Sequence, residues 1–267
     1  MCTEVRTRRV VRDDLGAAVT LGGPPRRVVS LVPSITETVA TSAREMLVGA
    51  TDYCTHPADL EVARVGGSKY PDVAAVLAAE PDLVLANEEE NRREDVAALR
   101  AAGVAVWTTR AAATVPQALE SLRRMLVQGL RLDEPGWLAR AMAEWAGPLP
   151  PIRATAITCV WRRPWIVLGS DTFAGDVLRR LGIGNAYAGH PQRYPRPPLS
   201  ELHAVLAGHR AELVVLPDEP YAFSAQDGPD AFPGATSALV SGRHLTWWGP
   251  SLLVARSVLQ SRLRRLP

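Results

Sequence analysis

Short runs of apolar, mostly β-branched residues alternate with helical patterns along this chain, and that alternation restricts the folds it can adopt. The first run, residues 27–32, ends at Pro33, and the Ser-x-x-Glu pattern of residues 34–37 predicts a capping box that opens a helix. Further strands are predicted at residues 47–50, 82–86 and 104–107, with helices at 73–79 and 92–102. This order predicts an α/β fold with a parallel sheet, whose ligands bind at the carboxyl ends of the strands.

The same alternation resumes after a long helical segment. Leu, Ala, Arg, Met and Glu recur at helical spacing from residue 115 to 145, with an interruption near 133–136, and Gly and Pro end the pattern at 147–151. Strands are then predicted at 154–160 and 212–216, and helices at 173–180 and 201–207. We therefore predict two Rossmann-like lobes with parallel sheets, joined by a long backbone helix. The predicted boundaries are residues 1–112, 113–148 and 149–267.

Size and composition exclude several classes of protein. The 267 residues, 47% of them hydrophobic, are enough to bury two medium-sized cores. Thirty Lys and Arg residues balance 28 Asp and Glu residues, and no basic block interleaved with aromatics predicts a nucleic-acid groove. The first predicted strand lacks the glycines of a phosphate-binding loop, and no Gly-x-Ser-x-Gly motif is present. We expect neither a nucleotide cofactor nor serine-hydrolase chemistry.

The sequence favours a cytoplasmic location. No run approaches the roughly 20 apolar residues of a transmembrane segment. The N-terminal residues lack the apolar part of a secretory signal, and Cys2 is preceded by Met1 alone, not by a lipobox. The three cysteines, Cys2, Cys54 and Cys159, are too few for a disulfide framework, which agrees with a reducing compartment.

Aromatic residues are concentrated late in the chain, where 10 of the 15 follow residue 160 and most lie within three residues of a Pro or Gly. Rings held on loops are typical of sites for flat ligands. The alternative is that the turn residues end strands whose aromatics belong to the core. We predict a ligand cleft ringed by Tyr53, Trp161, Trp165, Tyr194, Tyr221 and Trp247 or Trp248.

Cys54 and His56 are two residues apart, so in an extended loop their side chains would point the same way. A structural zinc site needs about four ligands, and no second Cys or His pair has the required spacing. Three interpretations stay open: the pair stabilises its loop, ligates a metal, or supplies a thiol nucleophile.

Charged residues border several of the predicted loops. Glu88, Glu89 and Glu90 lie just before a helix, where they either favour the helix dipole or face the cleft and hold a cation or polar ligand arms. In the second case Arg92 and Arg162 would bind ligand carboxylates. Two further acids border aromatic loops and would orient an arginine, namely Asp171 and Glu219.

Four segments in order resemble the helical-backbone, or class III, substrate-binding proteins, a family that includes vitamin B12, siderophore and haem receptors. They are residues 27–38, 48–53, 65–67 and 80–85, and the resemblance covers nearly the whole chain from about residue 19. A narrower set is similar to a leaderless subgroup labelled cobalamin-binding, at residues 53–57, 87–95, 161–165, 171–173, 193–195, 219–221 and 247–249.

In the B12 receptor of that family, aromatics from both lobes clamp the corrin ring. By this resemblance, Tyr53 matches a receptor tyrosine, Tyr194 matches a tryptophan of the second lobe, and Trp247-Trp248 lie near the last aromatic loop. Tyr70 and Asn87 replace two first-lobe tryptophans, which implies a more polar clamp on that side.

The resemblance favours a small-molecule metal chelate as the ligand, with cobalamin or another corrinoid first and haem or a siderophore next. If the ligand is a metallated tetrapyrrole, His56 is the residue expected to reach its metal. Two rival hypotheses are an enzyme that uses Cys54, His56 and Glu88–Glu90, and a protein that binds a bare transition-metal ion.

The same resemblance bears on a membrane partner, since these receptors dock on a permease through one glutamate from each lobe. Here the matching positions are Ala74 and Ala204, with Glu201 one turn away from the second. We therefore expect no delivery to a permease, because alanine offers no charge to a permease arginine.

Overall fold

The chain begins, within residues 9–263 that the computed structural model describes, with an antiparallel hairpin. Its strands are β1 (Arg9–Arg12) and β2 (Ala18–Leu21). Cys2 and the predictions on the N-terminal residues lie outside the described range. Among residues 9–263, no helix combines the length and the hydropathy needed to cross a bilayer.

A five-stranded, wholly parallel sheet follows the hairpin. Its strands are β3 (Val28–Ser30), β4 (Leu47–Ala50), β5 (Ala63–Arg64), β6 (Leu83–Asn87) and β7 (Val106–Thr109), in the spatial order β5-β4-β3-β6-β7. The helices α1 (Pro33–Ala43), α2 (Val73–Ala78) and α3 (Arg93–Ala101) connect them. The order reverses between β3 and β6, and such a switch point is where open α/β sheets place ligands. The predicted α/β fold is confirmed.

The predicted capping box at Ser34 and Glu37 is wrong. The N-cap of helix α1 is Val32, two residues earlier, and no side chain caps the helix. Pro33 can occupy the first helical position because its missing N–H would have no partner there. Ser34 and Glu37 are instead buried.

The connecting segment is helical in two parts. Helix α4 (Val115–Arg124) continues into a π-helical turn at Met125–Gly129, and α5 (Gly136–Trp145) follows. The residues between them, where the sequence predicts an interruption, are not helical. Arg131 has a φ of +60°, and Pro135 lacks the amide hydrogen that a continuous helix would need.

A second parallel sheet follows α5. Its strands are β8 (Ala154–Arg162), β10 (Ile183–Asn185), β11 (Leu213–Pro217) and β12 (Thr236–Val240), in the order β10-β8-β11-β12, and β9 (Trp165–Val167) pairs antiparallel with β8. The helices are α6 (Phe173–Arg180), α7 (Leu199–Ala207), α8 (Gly242–Thr246) and α9 (Leu252–Leu263). Here the strand order reverses between β8 and β11.

Contacts divide the chain into two units. The first contains the residues up to 111, then 119–140 and 248–250, and the second contains 112–118, 141–247 and the residues from 251. Parts of the predicted middle segment, 113–148, thus belong to each unit. Within the first unit Gly249 lies directly against α1. A Cβ added at Gly249 would be 2.8 Å from Oγ1 of Thr38 and 3.2 Å from the carbonyl oxygen of Ser34.

Candidate ligand-binding site

Asn87, predicted as a ligand contact, holds the end of β6 together. It is buried, and its Nδ2 donates to the carbonyl oxygen (3.3 Å) and the hydroxyl (3.1 Å) of Thr109. Its Oδ1 accepts from the backbone amides of Glu89 and Glu90, which bends the chain into a turn. The amide group is therefore committed to the backbone, so the structure argues against a direct ligand contact.

The side chain of Asn91 also binds backbone groups at this edge of the sheet, a role that the sequence analysis missed. It is buried, and its Nδ2 donates to the carbonyl oxygens of Leu31 (3.2 Å) and Ser68 (2.7 Å). Its Oδ1 accepts from the amide of Asn87 at 2.8 Å. Asn91 thus ties the loops after β3, β5 and β6 together at the switch point of the first sheet. The sequence signal for this role was the position of Asn91, three residues after Glu88, in the loop that follows β6.

The acidic residues at this edge are partly engaged by the backbone. Oε1 of Glu88 accepts from the amide of Ala111 at 2.8 Å, and Nζ of Lys69 donates to the carbonyl oxygen of Glu89. Within residues 9–263, no three His, Cys, Asp or Glu side chains are grouped as a metal site would require.

Two tyrosines and one arginine form the exposed surface at the carboxyl ends of β4 and β5. Tyr53 is 65% exposed and Tyr70 is 69% exposed. The guanidinium carbon of Arg92 lies 4.7 Å from the ring centroid of Tyr70, while Nε and one terminal nitrogen of Arg92 donate to Asp95. The hydrogen bond to Asp95 raises the pKa of Arg92. The result is a flat aromatic surface with a fixed positive charge beside it.

Cys54 and His56 do not face the same side. The Cys54 thiol is fully buried, 3.0 Å from Oγ1 of Thr36 and 3.1 Å from Oγ1 of Thr51, and burial raises its pKa. His56 is half-buried, with Nδ1 3.1 Å from Oγ1 of Thr55. Of the three interpretations, this geometry favours loop stabilisation, because a buried protonated thiol is a poor metal ligand and a poor nucleophile.

In the second unit, Trp165 belongs to the core. It is only 9% exposed, stacks on Phe223 with centroids 6.1 Å apart, and meets Phe232 edge-on at 5.2 Å. Trp247, in the same unit, and Trp248, in the first unit, are also buried. The core alternative therefore applies to these three tryptophans, and the prediction that they ring an open cleft is not supported.

Trp161, in contrast, is 40% exposed at the carboxyl end of β8 and packs edge-on against Tyr221 at 5.5 Å. The hydroxyl of Tyr221 donates to Oδ2 of Asp227 at 2.6 Å. Arg162 is paired with both Asp227 and Asp230. Arg162 is thus committed to these two carboxylates, which argues against its predicted role in binding ligand carboxylates.

Asp171 and Glu219 act through the backbone and through packing. Asp171 has a φ of +51°, and its carbonyl oxygen accepts from Arg193, so an arginine is indeed its neighbour. Glu219 packs tightly against Gly242. A Cβ added at Gly242 would lie 2.7 Å from the amide nitrogen of Glu219, so only glycine fits there.

A pocket of about 640 Å³ lies wholly within the second unit, beyond the carboxyl end of β10. Tyr194, 37% exposed, is the one predicted ligand residue that lines it. The sequence analysis missed its other polar lining residues, which are Tyr187, His190, Gln192, Arg196 and Glu201. The available signal was the Pro-rich stretch at 195–198, which holds polar side chains on a stiff loop.

Known proteins resemble this chain in sequence and in fold. A family model of periplasmic binding proteins matches residues 28–207. YvrC of Bacillus subtilis, an uncharacterized ABC transporter substrate-binding lipoprotein, is 32% identical over 185 residues, which are 64% of this chain and 58% of that protein. A cobalamin-binding protein of Halobacterium salinarum is 34% identical over 112 residues, which are 40% of this chain and 30% of that protein. The chain thus spans less than two thirds of the length of either relative.

Solved structures share the fold. The periplasmic vitamin B12 binding protein BtuF of Vibrio cholerae superposes with a TM-score of 0.68 at 18% identity, covering 90% of this chain and 97% of that one. The periplasmic heme-binding protein BhuT, in complex with two hemes, superposes with a TM-score of 0.72 at 24% identity, covering 89% of this chain and 97% of that one. At these identities the likeness establishes the α/β fold alone.

Proposed function

We propose that this chain, which belongs to the periplasmic binding protein family, reversibly binds a small metal chelate, with a corrinoid first and haem or a siderophore next. The ligands named for its relative and its structural neighbours, cobalamin, vitamin B12 and heme, support that class. Reversible binding needs exposed flat side chains and fixed charges, and no reacting group.

The observation that carries the proposal is the exposure of four aromatic rings at the carboxyl ends of the two sheets: Tyr53, Tyr70, Trp161 and Tyr194. A ring that covers ~100 Å² of a macrocycle contributes on the order of 2–3 kcal/mol. Two such rings within one unit therefore supply roughly 4–6 kcal/mol, which offsets the lower estimates of the association cost, about 4 kcal/mol.

The test is a titration of the protein with cyanocobalamin, hemin and ferrichrome, followed by tryptophan fluorescence. We expect saturable binding of at least one chelate. Tyr53→Ala and Tyr194→Ala should each weaken it by about 1–3 kcal/mol, the range of aromatic anchors in interfaces. Val254→Ala, at an exposed position on α9, is the control and should bind as the parent does. Absence of saturable binding for all three chelates would contradict the proposal.

No observation favours the enzyme that the sequence left open. Cys54 is buried with a raised pKa, and Glu88 accepts from the Ala111 amide. The cytoplasmic location expected from the sequence is also a proposal, and immunodetection in fractionated cells tests it.

A further inference from the structure

We propose that the pocket of the second unit receives an uncharged, amide-bearing edge of the ligand and discriminates against carboxylate arms. The inference rests on the proposed function and narrows it, because corrinoid rings carry amide arms whereas haem carries propionates. Its basis is the balance of hydrogen-bond donors and acceptors along the pocket wall.

The wall is held in place by backbone contacts. The amide of Gly169 donates to the carbonyl oxygen of Arg193 at 2.7 Å, and the amide of Val167 donates to that of Pro195 at 3.1 Å. At Gly169 a Cβ would overlap the carbonyl oxygen of Gln192, so the loop lies directly on this glycine. The backbone of this wall is therefore preformed.

The donors come from His190 and Arg196. Nδ1 of His190 accepts from the backbone amide of Gln192 at 3.1 Å, which places the proton of a neutral His190 ring on Nε2. Nε2 thus acts as a donor and does not offer a lone pair to a metal. Arg196 contributes a guanidinium group, which donates only.

The acceptor is Glu201, in the first turn of α7. The hydroxyl of Tyr187 donates to its Oε1 at 3.0 Å. Burial, and then the hydrogen bond to Glu201, raise the pKa of Tyr187, so this phenol keeps its proton. Glu201 is exposed, so a carboxylate oxygen can also accept from a ligand N–H.

Together these groups match an amide better than an acid. A primary amide accepts from His190 or Arg196 through its oxygen and donates to Glu201 through its nitrogen. A carboxylate has no N–H to donate, and its charge is repelled by Glu201. The charges of Arg196 and Glu201 cancel, so the pocket gives an anionic arm no net attraction.

The experiment measures calorimetric dissociation constants for dicyanocobinamide, its seven-carboxylate counterpart dicyanocobyrinic acid, and hemin. The parent protein should bind dicyanocobinamide at least about 10-fold more tightly than either acid. Glu201→Gln, which keeps the shape and removes the charge, should reduce that preference about 10-fold, mainly because the seven-carboxylate ligand binds more tightly. The control Glu61→Gln, at an exposed carboxylate of the first unit, should leave the preference unchanged.

The outcomes separate this inference from the proposed function. Equal binding of the amide and acid ligands, or a preference that Glu201→Gln leaves unchanged, would overturn the inference while the binding function stands. Failure of all three ligands to bind would overturn the inference, and the proposed function falls as well when cyanocobalamin and ferrichrome also fail to bind. Thermal melting of each variant establishes that it is folded.

Discussion

At the scale of single residues, Trp161 and Trp165 lie four positions apart and have opposite environments. Trp165 packs between Phe223 and Phe232, so Trp165→Ala should lower the free energy of unfolding by about 3–5 kcal/mol. Trp161 is partly exposed, and Trp161→Ala should lower it by less than about 1 kcal/mol. Urea unfolding of both variants measures the difference. Equal destabilisation would contradict the assignment of Trp165 to the core.

The sequence could not separate these two tryptophans, because both lie beside turn residues. The structure shows the cause, which is a register shift between β8 and β9 at Cys159 and Trp161. A bulge breaks the simple alternation of side chains along a strand, so the face of a residue beyond it cannot be counted from the sequence. The expectation that Cys54 and His56 point the same way fails for a related reason, since turns interrupt their loop and it is not extended enough for the alternation rule to hold.

The ion pair between Arg162 and Asp230 predicts a pH dependence. The hydrogen bond from Arg162 holds the pKa of Asp230 well below its usual range. A carboxyl whose folded-state pKa is lowered stabilises the fold above its unfolded pKa of about 3.9, and the stabilisation is lost as the pH falls from there toward the folded-state pKa. The urea midpoint of the parent should therefore fall more steeply below about pH 4 than that of Asp230→Asn. Parallel pH profiles would exclude a contribution from this pair.

At the scale of elements, the loop after β10 depends on one glycine. Gly169→Ala should displace residues 190–195, because the added Cβ would overlap Gln192 and lie 2.9 Å from Cδ of Pro195. We expect destabilisation of about 1–3 kcal/mol, the usual cost of overpacking, together with weaker chelate binding. Gly189→Ala is the matched control, since nothing lies within 4 Å of a Cβ there. Thermal melting and ligand titration of both variants test this, and identical behaviour of the two would contradict it.

Most of the elements that were predicted lie within two residues of their predicted ends. No strand was predicted at β1, β2, β5, β9, β10 or β12, and no helix at α8 or α9. Helix α6 spans Phe173–Arg180 as predicted, and β6 spans Leu83–Asn87 where residues 82–86 were predicted. These segments have strong periodicity or long apolar runs. The Tyr187 to Glu201 pocket was not predicted, because it depends on the docking of a loop against Gly169, a contact between residues distant in sequence.

At the scale of the whole molecule, the expectation that no permease is a partner stays a prediction. Ala74 on α2 and Ala204 on α7 are both exposed, and neither carries a charge. Added to a reconstituted importer of the B12 class, the protein should not stimulate ATP hydrolysis. The Ala74→Glu, Ala204→Glu double variant supplies the missing charges and is the comparison. Stimulation by the parent protein at micromolar concentration would contradict the prediction.

The placement of Gly249 against α1 has a consequence for how the protein is made. Every other part of the first unit has been synthesised once residue 140 is added, but residues 248–250 belong to that unit too. At about 5–20 residues per second, the ribosome takes roughly 5–20 s to reach them. Through that interval the nascent chain carries a first unit whose α1 lacks its covering strip around Ser34 and Thr38. Emergence of residues 248–250, and not that of the residues up to 140, therefore sets when this unit can be complete.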